Sequence, residues 1–144
     1  MKSICGLWVF KMADVKFEDY RIEVKEAFGV NTEAALEEAA GEIVSQTKRN
    51  SRVKTGQTKN SFSHKVIGDT AYMGSDYENA IWEEFGTGDY ALNGDGRKGG
   101  GFYVDDDGEG HFTHGKRPSR AFYKAYTSLK ARIIAMFENR FRGL

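Results

Sequence analysis

The clearest hydrophobic pattern in the chain lies within residues 32–48. Apolar and small side chains recur there at intervals of three and four residues: Leu36, Ala39, Ala40, Ile43, Val44 and Thr47. This period predicts a helix with one buried face. Asn31 or Thr32 is suited to cap the predicted start. Lys48 and Arg49 lie near the predicted end, where positive charge favours the helix dipole.

Two strand-like segments follow the first predicted helix. They are residues 61–67 and 70–75, and Gly68 and Asp69 separate them. A two-residue link of this composition between strand-like runs predicts a β-hairpin.

The period then changes to that of a short helix ending near residue 85. Four aromatic or apolar side chains fall on one face of it: Tyr77, Ile81, Trp82 and Phe85. We predict that this face anchors the helix in the core. Gly86 is predicted to end the helix, and Gly86-Thr87-Gly88 to form a sharp exit that directs the following loop.

Glycine is concentrated in residues 86–115, which hold ten of the 17 glycines. Within this segment, the strand-like residues 102–104 and 111–113 lie on either side of an acidic, glycine-containing turn. This arrangement predicts a second hairpin. We expect the hairpin to project from the body on a flexible approach, residues 88–101. We predict that residues 88–116 form an arm that contacts other subunits or partners.

A long apolar stripe near the C-terminus predicts the last element, a helix from about residue 118 to residue 142. The stripe consists of Phe122, Tyr126, Leu129, Ile133, Met136, Phe137 and Phe141. Pro118 suits the helix start, where its missing N–H costs little. The elements together predict an α+β fold. A small antiparallel sheet packs against the N-terminal-half helix and the long C-terminal helix, and the glycine-rich hairpin projects.

Composition agrees with one folded domain. The chain has 144 residues, of which 40% are hydrophobic and 29% are charged. These values argue against disorder and allow a core to be buried. The single cysteine, Cys5, excludes an internal disulfide. No apolar run approaches the roughly 20 residues of a membrane-spanning helix, so we predict no membrane partner.

The N-terminal residues 1–31 are predicted to be an extension or arm that precedes a single domain at residues 32–144. Met12 resembles a natural start, so residues 1–11 are interpreted either as an upstream extension or as a short arm that docks on a neighbour. No small-residue cleavage site follows the apolar residues 4–10, which disfavours a signal peptide. Residues 14–25 alternate too loosely to choose between strand and helix.

The net charge of zero, from 21 basic and 21 acidic residues, hides a blockwise arrangement. Residues 48–65 hold six bases and no acid, and residues 69–89 hold six acids and no base. Residues 105–109 add four acids, and residues 116–124 add four bases. Two interpretations stay open. The blocks pair within the monomer, or they meet across repeated subunit contacts and set the register of assembly.

Charged blocks and aromatic loops together indicate a protein interface. Aromatic residues make up 13% of the chain, and such residues are enriched at interfaces. The predicted interface residues are Lys48, Arg49, Arg52, Lys54, Glu83, Glu84, Phe102, Tyr103, Asp105, Asp106, Asp107, His111 and Phe112.

The sequence evidence for a metal site or a catalytic site is weaker than that for a protein interface. His111 and His114, with Glu109 nearby, are the strongest metal-ligand candidates. On a strand, positions 111 and 114 point to opposite faces, which disfavours convergence on one ion. The acidic run before Gly108 differs from a calcium loop because Tyr103 stands at the first ligand position. The glycine-rich segment lacks a phosphate-binding motif. We predict no metal, no cofactor and no catalytic site.

Several short motifs together resemble one known family. The most specific is Tyr77-x-x-x-Ile81-x-Glu83-x-Phe85-Gly86-Thr87-Gly88, which Met73-Gly74-Ser75 precedes. The others are Lys54-Thr55-Gly56, Ser61-Phe62, Gly101-Phe102-Tyr103, Phe112-Thr113-His114-Gly115 and Pro118-Ser119-Arg120-Ala121-Phe122. Over residues 32–140, their order resembles the HK97 gp10-like family of tailed-phage head–tail neck or tail-completion proteins.

The resemblance implies a small α+β protein that assembles as a homo-oligomeric ring, commonly sixfold, at the top of a phage tail. It implies contacts with the tail terminator or tail tube on one side and with head-completion or connector proteins on the other. DNA would pass through the lumen, which the basic residues 48–59 would face. The implied location is the virion neck or tail, assembled in the bacterial host cytoplasm, and no catalysis is implied.

Two other functions are open alternatives. The first is a nucleic-acid-binding module that uses residues 48–65 with Phe62, because six bases favour salt-dependent binding to phosphates. No standard nucleic-acid motif accompanies them. The second, which we rank last, is a metal hydrolase built on His111 and His114.

Overall fold

A computed structural model describes residues 21–142 of the 144-residue chain. That part contains four α-helices and two antiparallel two-stranded sheets, which confirms the predicted α+β class. The elements are α1 (Arg21–Asn50), α2 (Gln57–Ser61), β1 (Phe62–Ile67), β2 (Thr70–Ser75), α3 (Asn79–Phe85), a 3₁₀ turn (Gly88–Tyr90), β3 (Gly101–Val104), β4 (Gly110–Thr113) and α4 (Ala121–Phe141). The predictions made for residues 1–20, including a start at Met12, lie outside the described residues.

Helix α1 already includes Arg21, the first described residue, which lies well before the predicted start near Thr32. The cap prediction is therefore wrong: Thr32 lies inside the helix, and its hydroxyl donates to the Phe28 carbonyl at 2.7 Å. Nothing in residues 21–31 breaks a helix, and the Phe28 ring stacks on Phe141 of α4 with a 5.7 Å centroid distance. The predicted boundary after residue 31 falls inside this continuous helix.

Helices α1 and α4 pack antiparallel. Arg140 donates to Glu38 at 2.8 Å and Arg132 donates to Glu42 at 2.9 Å. The later residue of α1 thus pairs with the earlier residue of α4, as in an antiparallel pair. The buried side chains between them are mostly alanines: Ala35, Ala39, Ala40, Ala121 and Ala125. Small side chains let the two backbones approach closely. The larger residues of the predicted α4 stripe are only half-buried, and Tyr126 is exposed.

The first hairpin forms as predicted and packs on α1. Strands β1 and β2 pair antiparallel from Phe62 opposite Ser75 to Ile67 opposite Thr70. Gly68 takes a left-handed φ of 62° in the two-residue turn. Phe62 joins Val44 of α1 and Ala80 of α3 in the buried cluster, so the hairpin, α1 and α3 share one core.

Helix α4 begins at Ala121, three residues later than the predicted start at Pro118. Arg120 precedes it with a left-handed φ of 53° and gives no side-chain cap. The cap comes instead from α3, where the Glu84 carboxylate accepts the N–H groups of Phe122 and Tyr123 at 2.9 Å. A distant carboxylate thus satisfies the free amides of the first turn and fixes where the helix starts.

Candidate interaction surface

The base of the second hairpin is a close crossing of two backbone segments. The Thr87 N–H donates to the Lys116 carbonyl at 2.9 Å, and the Lys116 N–H donates to the Thr87 hydroxyl at 2.8 Å. A Cβ placed on Gly115 would lie 2.6 Å from the Thr87 carbonyl carbon and 2.8 Å from the Gly88 Cα. Only glycine fits such an approach. The segment that we predicted to be a sharp exit is therefore one side of a backbone crossing.

The approach to the hairpin is held by defined contacts, where the sequence led us to expect a flexible connection. The Asp89 carboxylate accepts hydrogen bonds from His114 Nδ1 at 2.9 Å and from the Gly99 N–H at 3.0 Å. The Leu92 N–H donates to the Phe85 carbonyl at 2.9 Å. The hydrogen bond from His114, aided by that from Gly99, lowers the pKa of Asp89.

The hairpin turn is organised by Asp105. Its Oδ1 accepts the N–H groups of Asp107 at 3.0 Å and of Glu109 at 2.9 Å, and its Oδ2 accepts from His111 Nε2 at 2.8 Å. The hydrogen bond from His111 lowers the pKa of this carboxyl group, and the backbone donors act in the same direction. Two predicted interface residues, Asp105 and His111, thus bond to each other within the turn, while Asp106 and Asp107 expose their carboxylates.

One face of the hairpin carries three exposed apolar side chains, which we call the apolar knob: Phe102, Val104 and Phe112. Phe102 pairs with Phe112 across the strands, and their rings meet edge to face at 5.4 Å. Val104 lies two residues from Phe102 and so shares its face. The exposed fractions are 78% for Phe102, 68% for Val104 and 53% for Phe112. Within the described chain, the hairpin has no substantial contact with any helix.

The prediction that the aromatic and apolar face of α3 lies in the core is wrong. Ile81, Trp82 and Phe85 are 57%, 47% and 42% exposed, and the buried residue is Ala80. Tyr77 is half-buried, and its hydroxyl donates to Gln57 at 3.1 Å. A seven-residue helix can turn only a narrow side inward, and the small Ala80 fits beside Phe62 where larger side chains would not.

The exposed side of α3 forms one wall of a concavity of about 460 Å³, which we call the apolar groove. Its main apolar lining comes from α3, the loop after it, and the start of α4: Ile81, Phe85, Leu92, Phe122, Tyr123 and Tyr126. Asp76, Glu78 and Arg120 also border it. Phe122 therefore belongs to this groove, and the sequence signal for the groove was that α4 carries aromatics at positions 122, 123 and 126.

Two predicted interface acids are engaged inside the monomer. Glu84 caps α4, as described above. Glu83 pairs with Lys116, and its backbone carbonyl accepts the N–H of the buried Ser119 at 2.7 Å. Both residues join α3 to the segment that leads into α4, so their role in the described chain is to hold the fold together.

The basic residues 48–65 do not pair with the acids of residues 69–89 within the described chain. Lys48, Arg49 and Lys54 have no carboxylate partner there, and Arg52 donates to the Arg117 carbonyl at 3.0 Å. Arg52 and Lys54 line a wide groove of about 900 Å³ together with Arg97 and Lys116. No ion pair therefore joins these two blocks inside the described chain, although Lys116 of the second basic block pairs with Glu83 of the acidic block.

The candidate metal ligands divide between two separate contacts. His111 bonds Asp105 and His114 bonds Asp89, so the two histidines do not share a site. Asp105, Glu109 and His111 do place ligand atoms within 4.8 Å of one another. The Asp105 oxygens there already accept hydrogen bonds from the turn itself.

The chain was compared with known protein families, proteins and structures. No protein-family model, curated protein or solved structure matches the chain. Among residues 21–142, no helix combines the length and apolar character that a bilayer crossing requires. The functional interpretation therefore depends on the residues and their contacts.

Proposed function

We propose that this protein is a self-associating structural subunit of a tailed phage or phage-like particle, which forms a ring at the head–tail neck or tail top. One observation carries the proposal. Only Ile43, Val44 and Phe62 are large among the buried hydrophobic residues of the described chain, whereas seventeen large hydrophobic residues are exposed. Where such residues lie together, as Phe102 and Phe112 do, the exposed apolar surface usually marks a site of protein association.

The arm at residues 88–116 is the part that we assign to assembly. A two-stranded hairpin by itself is marginally stable in water, and this one exposes two phenylalanines. Burying them against a neighbour would stabilise both the hairpin and the contact. A projecting element of this kind suits a ring in which each subunit reaches the next.

The sequence motifs supply the biological setting. The blocks Tyr77 to Gly88 and Phe112 to Phe122 resemble the gp10-like pattern, and such proteins form rings, commonly sixfold, at the tail top. Partners would be the tail terminator or tail tube and the head-completion or connector proteins. The virion would be the site of function, after assembly in the host cytoplasm, and DNA would pass the basic residues 48–59.

Light scattering coupled to size exclusion, with negative-stain microscopy, tests the proposal. We expect rings with a mass several times the 16.2 kDa of the chain, alone or with neighbouring virion proteins. Gly88 and Gly115 lie side by side, so a deletion of residues 89–114 joins adjacent ends. We expect that variant to fold as a monomer that does not assemble. A full-length chain that stays monomeric with every virion partner would contradict the proposal.

A second candidate function is nucleic-acid binding, and the unpaired bases favour it. Lys48, Arg49 and Lys54 have no acidic partner in the described chain, so their charge is available to phosphates. Fluorescence anisotropy with duplex DNA at several salt concentrations tests this candidate. Support would be tight binding with an association constant whose logarithm falls steeply as the logarithm of the salt concentration rises. This binding should be lost in a Lys48→Ala/Arg49→Ala/Lys54→Ala variant. A Lys124→Ala/Lys130→Ala variant is the control.

A further inference from the structure

We propose that the apolar knob of one copy docks in the apolar groove of a neighbouring copy. Phe102, Val104 and Phe112 of the first copy would lie against α3 and the start of α4 in the second. The inference rests on the proposed self-association and names its contact. It commits both surfaces to a second copy of this chain.

The knob has the size and character of a docking element. Its two phenylalanines and one valine, at their exposed fractions, present on the order of 300 Å² of apolar surface. This is the size of the largest patch on an ordinary monomer, and such patches are often functional. The knob lies on a hairpin that makes no substantial contact with any helix of the described chain, and its side chains are exposed and so available to a neighbour.

The groove offers a matching apolar recess. Its volume of about 460 Å³ falls within the range of ordinary binding sites. Ile81 and Phe85 form one wall and Tyr123 and Tyr126 the other, and all four are more than 40% exposed. Aromatic side chains that line a recess are typical of the energetically dominant part of an interface.

Charge selects the orientation of docking. Asp106, Asp107 and Glu109 at the hairpin tip have no cationic partner in the described chain. Arg120 lines the α4 side of the groove, and Lys124 is exposed one turn further along α4. Asp76 and Glu78 border the other side. The tip therefore points towards Arg120 and Lys124 and away from Asp76 and Glu78, because the opposite orientation would bring like charges together.

The contact is heterologous because the knob and the groove are different surfaces. Each copy presents one of each, so every copy can both donate a hairpin and receive one. A head-to-tail contact of this type closes into a ring or continues into a filament, depending on the rotation between copies. It is therefore the kind of contact that a ring-forming subunit requires.

Disulfide trapping in the full-length chain tests the inference. The first variant combines Val104→Cys and Ile81→Cys with Cys5→Ser. Both new cysteines replace exposed residues, so folding should be retained. Mild oxidation should give a ladder of covalent oligomers on non-reducing gels. In the Cys5→Ser background, the single variants Val104→Cys and Ile81→Cys should each stay uncrosslinked alone and should form a dimer when mixed. Thr70→Cys, also exposed, replaces Ile81→Cys in the matched control.

A parallel variant identifies a competing occupant. If the apolar residues 4–10 occupied the groove, Ile81→Cys with the natural Cys5 retained would form a disulfide between Cys5 and the cysteine introduced at position 81. That disulfide, without one between positions 81 and 104 in the first variant, would overturn the inference. Oligomers that form with neither disulfide would overturn it as well while leaving the proposed function intact. A chain that is monomeric under all conditions would contradict the proposed function itself.

A second experiment uses substitutions to measure the strength of the contact. The double variant Phe102→Ser/Phe112→Ser should raise the dissociation constant of the assembly by about 30-fold or more, as expected for central aromatic contacts. Tyr72→Ser is the control, because Tyr72 is a 59% exposed aromatic outside both surfaces. Equal weakening by the two variants, or none in either, would contradict knob-in-groove docking.

Discussion

The helical body and the hairpin arm of this protein are held together by different forces. In the body, α1, α4 and the first hairpin bury alanines, Ile43, Val44 and Phe62. In the arm, residues 88–116, order comes from backbone hydrogen bonds, a glycine crossing and two histidine–aspartate pairs. The large apolar side chains of the arm contact mainly one another, as Phe102 does Phe112, and they remain exposed for contact with another molecule.

The largest expected effect distinguishes a buried phenylalanine from an exposed one. Phe62→Ala should lower the free energy of unfolding by about 3 kcal/mol or more, because it removes the largest side chain of the buried cluster. Phe102→Ala in the arm should change it by less than about 0.5 kcal/mol, because Phe102 is exposed in the monomer. Urea unfolding of the monomer measures both. Similar losses would contradict the division between body and arm.

The glycine crossing gives the next largest effect. Gly115→Ala combines a left-handed φ of 105° with overlap against Thr87, and it should cost about 2–3 kcal/mol. Gly94→Ala also has a left-handed φ, of 73°, but open space around it, so it should cost about 1 kcal/mol.

Limited proteolysis together with urea unfolding measures this difference. Cleavage of Gly115→Ala within residues 88–116, with the helical body intact, would show that the arm opens as a separate unit. Equal costs for the two substitutions would argue against the crossing.

A moderate effect is expected where the two regions meet at the start of α4. Glu84→Ala removes the acceptor for the Phe122 and Tyr123 amides and should cost about 1–2 kcal/mol. Glu78→Ala is a suitable control, because the Glu78 side chain is exposed and has no ion-pair partner in the described chain. Thermal unfolding followed by circular dichroism compares the two variants. Loss of stability in both would indicate a general charge effect.

The smallest effect is a pH dependence confined to the arm. The pKa values of Asp89 and Asp105 are lowered in the folded state, so both carboxylates stabilise that state. Their contribution is complete at pH values above the ordinary pKa of 3.8. This stabilisation is lost as pH falls below 3.8 through the lower folded-state values. The amide protection factors of residues 88–116, which correct for the intrinsic exchange rate at each pH, should therefore fall on acidification before those of α1 do.

Asparagine substitutions test that pH dependence. Asp89→Asn should remove the part of the pH-dependent stabilisation of the arm that Asp89 contributes. Asp106→Asn should not, because Asp106 is exposed and has no ion-pair partner in the described chain. Protection factors that fall equally in the arm and in α1 would contradict the assignment.

Local patterns predicted the elements well, and their ends less well. The Gly68-Asp69 turn, Gly86 at the end of α3 and the second hairpin all lie where the residues indicated. The helical character of residues 21–31 was missed, because these residues show no clear apolar period, and the Phe141 ring that Phe28 contacts lies far away in sequence. The start of α4 was also missed, because its cap is Glu84, far away in sequence.

The residues that the sequence proposed for an interface divide into two groups. Phe102, Tyr103, Phe112, Asp106 and Asp107 are exposed as an interface requires. Glu83 and Glu84 proved to be internal supports, and Asp105 and His111 organise a turn. Charge and aromatic content alone do not distinguish a side chain that contacts a partner from one that caps a neighbouring helix. That distinction depends on which segments lie beside it.

The sequence by itself determined both hairpins, their turns and most of the long helices, since periodicity and glycine act over a few residues, but it did not indicate α2. Only the tertiary structure decided which side of α3 faces inward and how Gly115 meets Thr87. It also decided that Ile81 and Phe85 line a groove with Tyr123 and Tyr126. The physical reason is that local conformation depends on neighbours along the chain, whereas burial depends on which distant surfaces fit together.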